Sequence, residues 1–192
     1  MKTNFRGSKT EQQLINAFAG ESIARNKYTM FASVAKKEGY EQIAQIFELT
    51  AHNEYEHAKL FYKHIGTTPN GHVDGHYPFN LGTTEENLLN AVKGETEEFT
   101  TLYADAEKIA LEEGFDSVAS TFKHVIIAEK HHAQRYKQLY ENIKNGTLFE
   151  RETPQKWLCM ECGYIHDGKS APDYCPNCHH KKGFFQLLCE KY

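Results

Sequence analysis

Apolar residues recur along most of the chain in steps of three and four, the spacing that gathers side chains on one face of a helix. One stripe runs Ile43, Phe47, Ala51, Glu54, His57, Ala58, Phe61, Ile65. Another runs Phe115, Val118, Phe122, Val125, Glu129, His132, Tyr136, Leu139, Ile143. Two more read Leu14, Phe18, Glu21, Tyr28 and Leu88, Ala91, Glu95, Glu98, Leu102. The pattern predicts four helices. The first opens at the capping box Ser8-x-x-Glu11 and closes at Gly39, and the second follows from Glu41 to Ile65. The third opens at Thr83-x-x-Glu86 and ends at Gly114; the fourth runs from Asp116 to Asn145. Residues 66–84 carry Gly, Pro and Asn without a period, and so long a loop in a compact domain implies a crossover.

The helical part repeats. Gly20-Glu21 matches Gly94-Glu95, Tyr28 matches Tyr103, "KKEGY" ending at Tyr40 matches "LEEGF" ending at Phe115, and Glu54-x-x-His57 matches Glu129-x-x-His132. The offset is 74 at the first pair and 75 at the others. Two copies of one helical hairpin joined by a long crossover make an all-α four-helix bundle. The expected organisation is a bundle over residues 1–145, a linker over 146–156 and a small unit with short β-strands over 157–192.

Every stripe sends at least one carboxylate toward the core. Unpaired buried carboxylates would each cost several kcal/mol, against a typical total stability of about 5–15 kcal/mol. Glu56 and Glu97 each lie two residues from a core glutamate and read as solvated charge. No Lys or Arg occupies a matching core position, so two cations are the simplest counter-charge. Carboxylate with imidazole suits iron or manganese. One carboxylate from each of two helices, with Glu-x-x-His from each of the other two, is the known ligand pattern of di-iron and di-manganese bundles. The candidate ligands are Glu21, Glu54, His57, Glu95, Glu98, Glu129 and His132. Glu98 has no acidic counterpart, since Ile23 or Ala24 stands in its place; it reads either as a ligand or as an acid bonded to one.

All five cysteines follow position 158. Cys159, Cys162, Cys175 and Cys178 form two C-x-x-C pairs twelve residues apart, the spacing of a tetrahedral four-thiolate site, and Cys189 stands alone. These ligands hold zinc or iron equally well, and a neighbouring site that needs electrons favours iron. The net charge of −4 gives no reason to expect nucleic acid or membrane as a partner. No apolar run approaches the roughly 20 residues of a membrane span, and the N-terminus lacks a secretory pattern, so a cytoplasmic location is expected.

With "GESIARNKY", "EYEH", "GETEEFTTLY", "AEKHH" and the "CMECGY…CPNC" tail together, the chain resembles the rubrerythrin family over nearly its whole length. The resemblance implies a ferritin-like bundle holding two non-haem irons and a rubredoxin-like tail holding one iron on four cysteines. It implies Glu21, Glu54 and Glu98 on one iron, with His57 replacing Glu98 on reduction. Glu95, Glu129 and His132 would hold the other iron, with Glu54 and Glu129 bridging. Tyr28 and Tyr103 fall on active-site tyrosines. The implied activity is reduction of hydrogen peroxide to water in oxidative-stress defence. Electrons would come through the tail from an NADH-linked reductase or rubredoxin, in a head-to-tail homodimer. The chain itself has no Gly-x-Gly-x-x-Gly dinucleotide motif. A ferroxidase role in iron handling is the alternative, and a zinc-tailed binding module a further one. His179 departs from the glycine usual after the last cysteine, which would weaken a backbone bond to sulfur.

Overall fold

The computed structural model describes residues 4–68 and 70–190; residues 1–3, Pro69 and 191–192 of the ranges above lie outside the described residues. Helix α1 spans Lys9–Glu38, α2 Glu41–Ile65, α3 Thr84–Glu97, α4 Tyr103–Glu113 and α5 Asp116–Lys144. The Thr83 and Glu86 side chains form the reciprocal capping box. The Ser8 box forms only by half. Its hydroxyl accepts from Glu11 N–H at 3.0 Å, but the Glu11 carboxylate accepts from Gly7 N–H at 2.8 Å and Arg6 at 2.6 Å. Gly39 and Gly114 end α1 and α4 at φ of 83° and 82°, a conformation that glycine adopts without penalty.

The third helical stretch is not one continuous α-helix. Glu98–Leu102 forms a π turn between α3 and α4. In the first copy Tyr28 follows Glu21 by seven residues; in the second, Tyr103 follows Glu95 by eight. The wider turn absorbs the additional residue, so both tyrosines face the core at 3% exposure. That is the physical origin of the change in repeat offset. It also overturns the place expected for Leu102, which the π turn rotates off the apolar face to 48% exposure.

Helix α1 packs on α2, and α3 and α4 pack on α5, giving two hairpins joined by the crossover over residues 66–83. The crossover lies along α1, where Gln12 donates to the His72 carbonyl at 2.7 Å and Asp74 N–H donates to the Asn16 side chain at 3.0 Å. Two apolar clusters fill the bundle. One contains a ring triangle of Tyr28, Phe47 and Tyr136, with centroids 5.0–5.9 Å apart. The other contains the same triangle, moved 75 residues along, of Tyr103, Phe122 and Phe61 at 4.9–5.7 Å. Between the clusters lies a buried layer of glutamates and histidines.

In the tail, strand β1 (Glu150–Cys159) pairs antiparallel with β2 (Ile165–Ser170) on one side and β3 (Phe185–Leu187) on the other. Strand β1 begins inside the stretch read as a linker. Trp157 is fully buried against the cysteines, and its indole N–H donates to the Gly168 carbonyl at 3.0 Å. The tail rests on the α1–α2 turn. Tyr40 stacks on Phe149 at 6.4 Å, and a Cβ at Gly183 would lie 1.9 Å from the Gly39 carbonyl oxygen, so only glycine permits that approach.

Candidate metal centres

Glu21 on α1, Glu54 and His57 on α2, Glu95 on α3, and Glu129 and His132 on α5 converge in the buried layer. They divide into two overlapping groups: Glu21, Glu54, His57, Glu129, and Glu54, Glu95, Glu129, His132. The shared residues face both ways. His57 Nδ1 lies 2.9 Å from Glu54 Oε2 and 2.8 Å from Glu129 Oε1. His132 Nδ1 lies 3.4 Å from Glu54 Oε1 and 2.8 Å from Glu129 Oε2. Each of these two carboxylates thus offers one oxygen to each group, the arrangement of a bridge between two cations.

The donor chemistry supports ions there. Both oxygens of Glu54 and of Glu129, one oxygen each of Glu21 and Glu95, and Nδ1 of both histidines are buried without a hydrogen-bond partner. They lie at contact distance but point at common centres rather than along hydrogen bonds. So many orphaned buried acceptors are not tolerated without a counter-charge. Hard carboxylates with two imidazoles fit a pair of iron ions.

Electrostatics shows the same strain. Burial, then the Glu129 charge, pushes Glu21 up to about 8. Burial, then Glu54, raises Glu95 well above the carboxylate range. Burial alone would lower His132, but Glu129, Glu54 and Glu95 carry it up to about 11, and His57 rises in the same way. Burial would raise Glu129, yet His132 and His57 pull it down to about 2. Protons on the imidazoles supply the positive charge that cations otherwise bring.

Tyr28 donates to Glu95 and Tyr103 donates to Glu21, the latter at 2.7 Å. The pairing crosses the repeat: each copy's tyrosine holds the other copy's glutamate. Glu98, which opens the π turn, joins neither group. Its residue surface is part exposed, while its carboxyl behaves as a buried group, raised by burial and then by Glu95. It borders a cavity of about 310 Å³ between α1, the crossover and α3–α4. Lys27 lines the same cavity and was not singled out by the stripe pattern; the signal lay in the repeat, where Leu102 holds the matching place before Tyr103. Glu56 and Glu97 point outward as expected, the Glu56 side chain being 46% exposed.

In the tail the four cysteines converge, with Cys159 Sγ 3.7 Å from Cys178 Sγ and Cys162 Sγ 3.6 Å from Cys175 Sγ. Metal–sulfur bonds of about 2.3 Å set tetrahedral edges near 3.8 Å, so the thiols are spaced for one ion and too far apart for disulfides. The knuckles match each other. Gly163 N–H donates to the Cys159 carbonyl and His179 N–H to the Cys175 carbonyl, both at 2.9 Å. Gly163 has φ 75° and His179 φ 62°. His179 therefore keeps the left-handed turn that Gly163 makes in the first knuckle. Its cost is local, on the order of 1 kcal/mol. Cys189 is exposed and apart from the cluster.

Residues 13–140 match the family model described as rubrerythrin, and residues 157–186 match that of the rubrerythrin rubredoxin-like domain. The chain is 45% identical to rubrerythrin-1 of Clostridium acetobutylicum, over 98% of this chain and 99% of that protein. It is 44% identical to a putative rubrerythrin of Methanocaldococcus jannaschii, over 96% and 95%. Among solved structures it is similar to fully reduced, all-ferrous nigerythrin, with a TM-score of 0.64, 33% identity, and coverage of 97% of this chain and 94% of that one. A bundle with a six-residue carboxylate–imidazole layer, a four-cysteine tail and full-length identity of this order all point one way: the chain belongs to the rubrerythrin family.

Proposed function

We propose that the chain is a peroxidase that reduces hydrogen peroxide to water with electrons passed in through its four-cysteine tail. The observation that carries this is the pairing, in one chain, of a buried two-cation cage with a separate one-ion thiolate site. Ferrous ions held by the cage supply the two electrons that peroxide needs, with two protons, to become two waters. The residues do the rest. Glu54 and Glu129 would be shared between the two ions, and Glu21, Glu95, His57 and His132 would complete the cage. Tyr28 and Tyr103 fix the terminal carboxylates and keep the flanking core dry. Glu98 would be the exchanging ligand, held for the more highly charged ferric pair and given up for neutral His57 with the ferrous pair. The cavity beside Glu98 is large enough to admit peroxide. An attached electron donor serves turnover rather than iron storage, which separates this reading from a ferroxidase.

The donor behind the tail is a separate NADH-linked reductase or a rubredoxin, in a reducing cytoplasm. Within one chain the tail sits at Gly39, eighteen residues beyond Glu21, or about 27 Å along the helix axis. That separation supports a head-to-tail dimer in which each tail serves its partner's cage. The test is Cys159→Ser. The pre-reduced bundle should oxidise once with peroxide at an unchanged rate, while reductase-driven turnover falls at least a hundredfold. Full turnover would show that electrons bypass the tail.

A further inference from the structure

The two copies of the hairpin differ in charge where α1 and the π turn border one cavity. In the second copy Glu98 stands where the first has Ile23 or Ala24. In the first copy Lys27 stands where the second has Leu102. Each copy therefore contributes one charge at a place where its counterpart is apolar, and both charges border the same cavity of about 310 Å³. The cavity exists because small residues stand along the helices that form it, among them Ala17, Gly20 and Gly94. Neither charge has an ion-pair partner among the described residues: Glu98 joins neither carboxylate–imidazole group, and Lys27 has only the Phe31 ring, with its Nζ 6.0 Å from the ring centroid. Burial lowers the Lys27 ammonium, and Glu98 and then Glu95 are the carboxylates that draw it back up. A half-buried ammonium and a carboxylate, unpaired beside one cavity, are costly apart and favourable together.

We propose that Lys27 is a positioning residue whose ammonium receives the Glu98 carboxylate when that carboxylate is off the metals. The proposal rests on the exchange of Glu98 for His57 stated under Proposed function, and supplies what that exchange lacks, a resting place for the displaced negative charge. Without it, a released carboxylate would stay unpaired beside a low-dielectric site and pull the equilibrium back toward the oxidised ligand set. The π turn suits the motion, because its wider backbone frees Glu98 from the packing that fixes Glu95 one turn earlier.

The test crosses Lys27→Met and Lys27→Arg with Glu98→Gln in full-length, iron-loaded protein. Midpoint potential of the bundle site and ferrous-ion affinity are the readouts, and the thermal midpoint of the metal-free chain checks folding. Lys27→Met should lower the potential and weaken ferrous binding about tenfold, the loss expected of one charge-assisted contact. Lys27→Arg should restore both, and crystals of the reduced wild type should show Glu98 paired with Lys27. In the Glu98→Gln background the Lys27→Met effect should vanish. An equal shift in both backgrounds overturns the proposal, because the lysine then acts only as a nearby charge. If Glu98→Gln alone leaves the potential unchanged, the exchange reading itself has failed, a result separate from any failure of Lys27. Lys27→Gln replaces the Met variant should that chain not fold.

Discussion

Glu21 and Glu129 are both buried carboxyls of one cage, yet they are driven in opposite directions. Glu21 has the burial penalty and a carboxylate neighbour, and rises to about 8; Glu129 has two imidazoles at contact distance, and falls to about 2. The signs set the pH response of metal-free protein. Glu21 rises above its unfolded value, so its neutral form favours folding and that contribution is lost as pH climbs from about 4.5 through 8. His132, raised to about 11, stabilises fully below about 6.5 and loses that contribution as pH rises through 11. Glu129 stabilises above about 4.5 and loses its contribution only as pH falls toward 2, so it is constant in between. Metal-free protein should therefore unfold at progressively lower temperature from pH 5 to pH 8. Iron-loaded protein should do the reverse, because metal binding displaces those protons and strengthens as they leave. Calorimetry of both forms at pH 5, 6.5 and 8 measures the gap, which should widen with pH. A gap independent of pH would mean that the cage does not hold the protons assigned to it.

At the level of elements, the π turn is the one departure from a plain repeat, and the first copy shows what the bundle does without it. There, seven residues of regular helix separate Glu21 from Tyr28. Deleting Thr100 gives the second copy that same spacing and keeps Tyr103 on the core face. The deletion should leave the metal-free chain folded, with a thermal midpoint no lower than wild type, since a regular helix replaces a π turn. Glu98, locked in helical register like Ala24, should no longer exchange, and the potential of the bundle site should move as it does in Glu98→Gln. A collapse in thermal midpoint would show instead that the turn is needed for packing. The elements themselves were legible because each signal has one physical meaning. An acid on an apolar stripe has to be neutralised, and a capping residue or a glycine has to end a helix. The π turn was not legible, because a single inserted residue leaves the stripe spacing plausible and shows only as the step from 74 to 75. Leu102 was placed wrongly for that reason. Lys27 escaped for another: a lysine flanking a helix stripe normally reaches solvent, and only the folded structure shows that it lines the cavity beside Glu98.

For the molecule as a whole, the proposed electron path has to join two sites that one chain keeps apart. The tail is tied to the α1–α2 turn by the Tyr40–Phe149 stack and by the close approach of Gly183 to Gly39, about 27 Å along the axis from the cage. That contact holds the thiolate site at the end of its own bundle, away from the cage. In the head-to-tail dimer proposed above, a two-fold axis would set each tail beside the other chain's cage. The two routes differ in a measurable way. Consider co-expression of a Cys159→Ser chain, with an intact cage and a disabled tail, and a Glu54→Ala chain, with an intact tail and a disabled cage. Neither should turn over alone. If each tail serves the partner's cage, a mixed dimer contains one working pair. With half of the dimers mixed, the preparation should recover roughly a quarter of wild-type turnover. If each tail serves its own cage, every chain is broken in one half and mixing restores nothing. The measurement is reductase-driven peroxide turnover of the co-expressed protein against each variant purified alone, at a concentration where the dimer persists. Recovery near a quarter establishes transfer between chains. No recovery, with mixed dimers demonstrated by differential tags, places the electron path inside one chain and makes the aromatic contacts at Tyr40 and Phe149 the next residues to test.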